Sequence, residues 1–173
     1  GGDEWRGEDG PLKVETGPAK NPLFTAWLEA GPQAGFHSTS DVNGYQQEGF
    51  AVFDKNVVRG RRLSAARAYL HPVLDRANLT LLTLAQANKI VFEGNRAVGV
   101  EYRRGRRTHT VRGTEIISCG GAFNSPQLLQ LSGIGDPDHL KSLGIDVVSA
   151  LPGVGENLQD HLEVYIQYAC KEP

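Results

Sequence analysis

The feature that most constrains the fold of this chain is a change of pattern between residues 78 and 135. Four β-like segments, "NLTLLTLA", "NKIVFEG", "RAVGVEYRR" and "RTHTVRG", are separated by turn signals that include Gly94-Asn95 and the "RGRR" tip. The apolar run "TEIISC" follows, and its lack of alternation is typical of a strand covered on both faces. Two glycines and the helix-like "SPQLLQLSG" come next. This order predicts a β-meander that leaves an open α/β sheet and a strand that returns to it.

The two glycines at the end of the apolar run have two interpretations. Gly120 and Gly121 lack a Cβ, so a cofactor could approach the backbone closely there. Ser125 before Pro126 is a suitable N-cap and first-position pair, and the free amides of a helix start attract anionic groups. The same residues also suit a tight turn between a strand and a helix that pack closely. The spacing alone leaves both interpretations open.

Helix signals occur elsewhere in the chain. "NPLFTAWLEAGPQAGF" predicts a helix with Asn21 as N-cap and Pro22 at its first position. Its apolar residues, Leu23, Phe24, Trp27 and Leu28, fall on one face. A second helix is predicted over 64–69, and a third begins at the cap Asp136 and stops at Gly144. The alternating "HLEVYIQYA" predicts a strand after the Gly-rich "LPGVGENLQDH".

Composition excludes some functions. The 173 residues carry 18 basic and 20 acidic side chains, a net charge of -2, which argues against a nucleic-acid binder. The two cysteines, Cys119 and Cys170, have no metal-ligand spacing, and Cys119 is predicted to be a small buried hydrophobe. The chain starts with "GGDEW" and contains no Met, so it is expected to be an internal piece of a longer protein.

Several polar side chains are candidates for a role in binding or catalysis. Of the five histidines, His37, His71, His109 and His139 are predicted to be solvated or to end a helix. His161 adjoins Asp160, which could orient its imidazole, although a structural hydrogen bond is favoured. The arginines of the "RGRR" tip, Arg103, Arg104, Arg106 and Arg107, form either a solvated hairpin tip or a contact for an acidic surface.

The chain resembles the glucose-methanol-choline (GMC) oxidoreductase family. "GAFNSPQLLQLSGIG" fits the second signature of that family without a departure, and "NGYQQEGF", "GRRLSAARAYLHP", "RAVGVEY" and "LPGVGENLQDHLE" look like its flanking segments. The similarity runs over nearly the whole chain and is greatest to the choline-oxidising branch.

The resemblance implies an α/β fold that binds FAD. By that pattern, residues 62–145 belong to a two-dinucleotide-binding FAD domain with an open parallel sheet and a β-meander excursion. Residues 1–61 and 146–173 then belong mainly to an antiparallel-sheet substrate domain. The family's main-chain adenine contact falls on Ala87, and the strand end and helix start beside the cofactor comprise Gly120, Gly121, Ala122, Asn124 and Ser125. The family's pyrophosphate loop lies upstream of this chain, and its catalytic histidine lies downstream of residue 173.

The resemblance also implies a reaction and partners. Members of the choline branch oxidise choline to betaine aldehyde, and on to betaine, by hydride transfer to the flavin N5. The resemblance implies a respiratory electron acceptor such as a quinone. It also implies peripheral association with a membrane, which would be the mitochondrial inner membrane in a eukaryote or the cytoplasmic membrane in a bacterium. Glu163 and Tyr165 share a strand face, and Tyr165 and Tyr168 are candidates for a quaternary-ammonium cage, with a plain sheet face as the alternative. Another GMC alcohol oxidase, for a sugar or an aryl alcohol, and a flavin-containing lyase remain alternative functions, as does a non-catalytic α/β binding module.

Overall fold

The computed structural model describes residues 4–167 and 169, and the chain divides into two compact units that meet between Leu81 and Leu82. The first unit contains the helix α1 (Pro22–Gln33) and two short antiparallel ribbons. One ribbon pairs β1 (Glu15–Thr16) with β2 (Asp54–Lys55), and the other pairs β3 (Val57–Val58) with β4 (Arg61–Arg62). A π-helical turn (Ala66–Leu70) and a 3₁₀ turn (His71–Val73) follow where the sequence predicts a helix over 64–69.

Helix α1 forms as its sequence predicts. Asn21 caps it, because the side-chain oxygen accepts a hydrogen bond from the Leu23 amide at 2.9 Å, and Pro22 occupies the first position. Gly35 follows the helix with φ +87°, a conformation that glycine adopts without strain. The predicted helix with Asn21 as its N-cap and Pro22 at its first position is therefore confirmed.

Most of the apolar residues that the sequence places on one face of α1 are not buried in the structure. Leu23, Phe24 and Trp27 are exposed, although Trp27 lies 5.5 Å from the ring of Phe50. The closest packing is at Gly31, where a Cβ would lie 2.6 Å from the Phe50 ring. The absence of a side chain at Gly31 thus lets the segment around Phe50 lie against the helix.

The second unit is built on an antiparallel meander of β5 (Ala85–Glu93), β6 (Arg96–Arg104) and β7 (Arg107–Arg112), in that order. Register shifts interrupt β5 between Ala87 and Lys89 and again at Phe92. At the centre, a Cβ on Gly99 would lie 2.6 Å from the Val111 carbonyl oxygen, so only glycine fits there. The predicted meander is confirmed, with three strands rather than four.

Two predicted strands are not formed. Residues 78–84 make no strand, and Leu84 has φ +54°, which interrupts an extended backbone. The "TEIISC" run, residues 114–119, is also irregular, because no strand in the described part of the chain lies beside it. As a result Ile117 is 76% exposed, and Cys119 is exposed rather than buried as predicted.

A helix and a parallel strand pair complete the unit. Helix α2 (Gly121–Leu131) leads into β8 (Ile134–Gly135), and α3 (Pro137–Ser142) leads to β9 (Ser149–Ala150), which pairs with β8 in parallel. Asp136 caps α3 as predicted, by accepting hydrogen bonds from the amides of Asp138 and His139 at 3.0 and 2.8 Å. This crossover is the part of the described fold in which strands run parallel.

The segment after β9 is extended but unpaired. Residues 161–167 form no strand, and Leu162, Val164 and Tyr165 are exposed, so the predicted strand is wrong over the described part of "HLEVYIQYA". Tyr168 and Cys170 lie outside the described residues. Among the helices of residues 4–167, none has the length and apolar character needed to cross a membrane. The assignment of residues 62–145 to an FAD domain, and of residues 1–61 and 146–173 to a substrate domain, remains a prediction. The division of the chain into two compact units does not show which ligand either unit binds.

Candidate functional site

The predicted cofactor residues lie around a cavity in the second unit. The cavity has a volume of about 340 Å³ and is enclosed by the start of β5, the segment 116–120, one residue of β6 and one face of α2. Three of the six predicted residues, Ala87, Gly120 and Asn124, are among those that line it. The structure therefore brings together residues that are 37 positions apart in the sequence, from 87 to 124.

The other three predicted residues lie next to the cavity without lining it. Gly121, Ala122 and Ser125 belong to the first turns of α2. The predicted role of Ser125 as N-cap is wrong, because α2 begins four residues earlier and Pro126 lies inside it. The Ser125 hydroxyl instead accepts a hydrogen bond from the Ser118 hydroxyl at 3.2 Å. This contact links the segment 116–120 to the first turns of the helix.

The two glycines at the start of α2 serve different purposes. Gly120 has an ordinary φ of -75°, and a Cβ there would lie 3.1 Å from the Ser125 amide nitrogen and 3.2 Å from the Asn124 Cβ. Gly121 has φ +84°, and apart from its chain neighbours and the nearby backbone of its own helix, no described atom lies within 4 Å of the position its Cβ would occupy. A side chain at position 120 would therefore press against the helix turn, whereas the space in front of Gly121 is open.

One face of α2 supplies most of the remaining cavity wall. Asn124, Gln127, Leu128 and Leu131 follow the spacing i, i+3, i+4 and i+7, which places them on one side of a helix. Sequence reasoning identified Asn124 and missed the other three, although this spacing was available in "NSPQLLQL". The wall therefore combines two amide side chains with two leucines, and it can offer hydrogen bonds beside an apolar surface.

A buried serine joins α2 to the edge of β5 behind the cavity. Ser132, the residue after the helix, is 1% exposed, and its hydroxyl oxygen accepts a hydrogen bond from the Ile90 amide at 2.8 Å. The same hydroxyl donates to the Leu128 carbonyl oxygen. Both hydrogen-bonding functions of the hydroxyl are used within the protein, as a buried polar group requires.

The Gly-rich loop after β9 is attached to the opposite side of α2. The Gln130 amide nitrogen donates to the Val154 carbonyl oxygen at 3.0 Å. Gly155, with φ +89°, lies so close that a Cβ there would be 2.8 Å from the same amide nitrogen. The "PGVG" turn therefore lies against Gln130, and although it follows β9, no helix follows it in the described residues, so it lacks the strand-to-helix context of a dinucleotide-binding loop.

The histidine candidates do not assemble into a site within the described part of the chain. The Asp160 carboxylate accepts a hydrogen bond from the backbone amide of His161 at 2.8 Å, so this contact does not orient the imidazole. All five histidines are exposed, and His109 stacks on Tyr102 with their centroids 5.3 Å apart. A hydrogen bond to Glu163 raises the pKa of Tyr165, so these two side chains are in contact although the predicted strand is not formed.

The basic hairpin and an ion-pair cluster are the main charged features. Arg103, Arg104, Arg106 and Arg107 are exposed around the turn at Gly105, which has φ +62°. In the first unit Arg6 bridges Asp41 and Asp54, and hydrogen bonding from Arg6 lowers the pKa of Asp41 to about 2. The pairing raises the pKa of Arg6 above its ordinary value. The cluster fixes the loop around Asp41 against β2.

Comparison with known proteins identifies the class to which this fold and cavity belong. Residues 4–163 match the family model described as GMC oxidoreductase, so the chain belongs to the GMC oxidoreductase family. An oxygen-dependent choline dehydrogenase from Staphylococcus haemolyticus is 60% identical over 171 residues, and its counterpart from Staphylococcus aureus is 59% identical. Each alignment covers 99% of this chain and 30% of the relative, so the chain spans about a third of the length of these proteins.

Solved structures show the same fold. A pyridoxine 4-oxidase from Mesorbium loti superposes with a TM-score of 0.83 at 35% identity, over 90% of this chain and 31% of that one. An FAD-dependent oxidoreductase from Chaetomium thermophilum superposes with a TM-score of 0.81 at 32% identity, over 90% and 28% of the two chains. The fold class predicted from the sequence, part of an FAD-binding α/β domain of this family, is confirmed.

Proposed function

We propose that this chain is part of an FAD-dependent enzyme that oxidises the alcohol group of choline to betaine aldehyde, and the aldehyde on to betaine. The observation that supports this best is the 60% identity to an oxygen-dependent choline dehydrogenase over 99% of the chain. The solved relatives at 35% and 32% identity are an oxidase of a different alcohol and an oxidoreductase of unstated substrate. The identity is far higher to the choline-oxidising proteins, so choline is the favoured substrate.

The residues around the cavity fit a part of FAD. Its volume of about 340 Å³ lies at the lower end of the range for small-molecule sites, about 300–1,000 Å³, and suits one end of a dinucleotide. The open space at Gly121 permits close approach to the backbone, and Asn124 and Gln127 provide amide groups beside the leucines of α2. Ala87 lies at the edge of the same cavity, where its main chain would contact the adenine.

Each residue has a distinct task in this arrangement. Ala87, Gly120 and Asn124 would hold the cofactor, and Gly121 and Ala122 would leave room for it at the start of α2. Ser125 would fix the segment 116–120 through Ser118 rather than bind an anion as an N-cap. When bound, FAD accepts at its N5 atom the hydride that leaves the alcohol carbon, so that the substrate is oxidised by two electrons. We assign no described residue as the base that takes the hydroxyl proton.

Product analysis on the full-length protein tests the proposal. Purified protein is incubated with choline in air, and betaine aldehyde, betaine and oxygen consumption are measured. A parallel reaction without oxygen contains a quinone analogue as acceptor. We expect both products with at least one acceptor, and the comparison of oxygen with the quinone identifies the electron acceptor. If neither acceptor supports the formation of betaine aldehyde, while pyridoxine or another alcohol is oxidised, the substrate assignment is wrong.

A further inference from the structure

Ser132 is the C-cap residue of α2, and its hydroxyl also makes a contact outside the helix. It is 1% exposed, and its hydroxyl connects two elements that are remote in sequence, the end of α2 and the middle of β5. β5 is an edge strand of the described three-stranded sheet, so one side of it lacks a neighbouring strand. The Ile90 amide on that side would be a buried donor without an acceptor if the Ser132 oxygen were removed, because Ile90 is 4% exposed.

The two residues that this hydroxyl contacts lie in or next to the cavity walls. Leu128, whose carbonyl oxygen accepts the hydroxyl hydrogen, lines the cavity on the α2 side. Ile90 pairs in register with Val100, which lines the cavity on the β6 side. Ala87 lies three residues before Ile90 on the same strand. Ser132 does not line the cavity itself, so any effect on a ligand acts through these neighbours.

We infer that Ser132 is a positioning residue that sets the separation between α2 and β5, and with it the width of the cavity in which FAD binds. This inference rests on the proposed function, because it takes FAD to be the ligand of the cavity. A hydroxyl is suited to the task because it accepts from the strand and donates to the helix at the same time. Alanine retains the size of the side chain apart from one oxygen, but it leaves both contacts unmade.

The test compares FAD binding by variants of the full-length protein. The dissociation constant of FAD is measured by fluorescence titration of the apo-protein, and the melting temperature of the apo-protein is measured separately. We expect Ser132→Ala to raise the FAD dissociation constant at least fivefold and to change the visible circular dichroism of the bound flavin. Ser132→Cys, which keeps a weaker hydrogen-bonding group of similar shape, should give an intermediate dissociation constant.

Ser142 provides a matched control. Its hydroxyl donates to the His139 carbonyl oxygen at 2.7 Å near the end of α3, but it is exposed and contacts no cavity wall. Ser142→Ala should leave the FAD dissociation constant unchanged. If Ser132→Ala lowers only the apo melting temperature and binds FAD as tightly as the wild type, Ser132 has a structural role and the inference is wrong.

The outcome separates this inference from the proposed function. If Ser132→Ala does not fold, the FAD dissociation constant of Ser132→Cys is compared with that of the wild type. Equal dissociation constants in these two proteins would overturn the inference. If the wild type binds FAD tightly and oxidises choline, and neither Ser132 variant changes the FAD dissociation constant, the inference is wrong but the proposed function stands. A wild-type protein that binds no FAD would instead contradict the proposed function.

Discussion

The Gly121→Val variant tests whether the turn at the start of α2 makes room for a cofactor or serves only the packing of the protein. The φ of +84° makes valine strained at this position by about 1–3 kcal/mol, and this cost is present with or without a ligand. Apart from the chain neighbours and the nearby backbone of α2, no described atom lies within 4 Å of the Cβ position, so the Cβ itself would meet no other part of the described protein. It would instead occupy the space that we assign to FAD.

Gly144→Val is the matched control for this strain. Gly144 follows α3 with φ +72°, and its Cβ position is likewise without a neighbour within 4 Å in the described part of the chain. Both variants should therefore lower the melting temperature of the apo-protein by similar amounts. They differ in their distance from the cavity, because Gly121 begins the helix whose face forms its wall.

FAD content and affinity are the decisive measurements. The full-length protein is purified, its flavin is quantified after denaturation, and the apo-protein is titrated with FAD. We expect Gly121→Val to raise the FAD dissociation constant at least tenfold, which corresponds to about 1.4 kcal/mol, and Gly144→Val to leave it within twofold of the wild type. If both variants melt earlier and both keep full flavin occupancy, the turn is structural and the assignment of Gly120, Gly121 and Ala122 to the cofactor fails.

Three further outcomes follow from the structure. Gly133→Ala should destabilise the protein more than a Gly→Ala substitution at a glycine whose Cβ position is open, because the Cβ at position 133 would lie 2.3 Å from the Asp146 carbonyl oxygen. Urea unfolding measures this effect, and an unfolding midpoint equal to that of the wild type would contradict it. The Arg6 hydrogen bond keeps the folded-state pKa of Asp41 near 2, below its ordinary value of 3.8, so its stabilisation is present above about pH 4 and is lost as the pH falls through 2. Tryptophan fluorescence across this range should show a smaller acid transition in Asp41→Asn, and identical transitions would refute the role of the pair. The 173-residue chain on its own should not bind FAD stoichiometrically, since Ile117 is 76% exposed in a segment without strand partners; equilibrium dialysis with one FAD bound per chain would disprove this.

Local signals in the sequence predicted the elements whose causes are local. Asn21 and Asp136 were identified as caps because a side-chain oxygen two or three residues before a free amide is enough to start a helix. The meander was visible because turn residues separate its strands and because each of β5, β6 and β7 pairs with its neighbour in the sequence. Ala87 came from the family resemblance, whereas the pattern of an apolar run followed by two glycines indicated Gly120 but left a purely structural turn open.

The errors concern structure that depends on distant partners. "TEIISC" has the composition of a buried strand, but a strand needs neighbours to satisfy its amides, and the described residues supply none beside it. Cys119 was misplaced for the same reason. Ser132 could not be identified as a link to Ile90 from sequence, because the contact joins residues 42 positions apart through a single hydroxyl.

Anaerobic reduction of the bound flavin tests the central claim most directly. The full-length holo-protein is mixed with choline in the absence of oxygen, and the visible absorbance of the flavin is followed in time, with glucose, benzyl alcohol and pyridoxine in parallel samples. The account predicts that choline bleaches the oxidised flavin and that the other three alcohols do so at least a hundredfold more slowly. Rapid bleaching by one of those alcohols, with no reaction from choline, would contradict it.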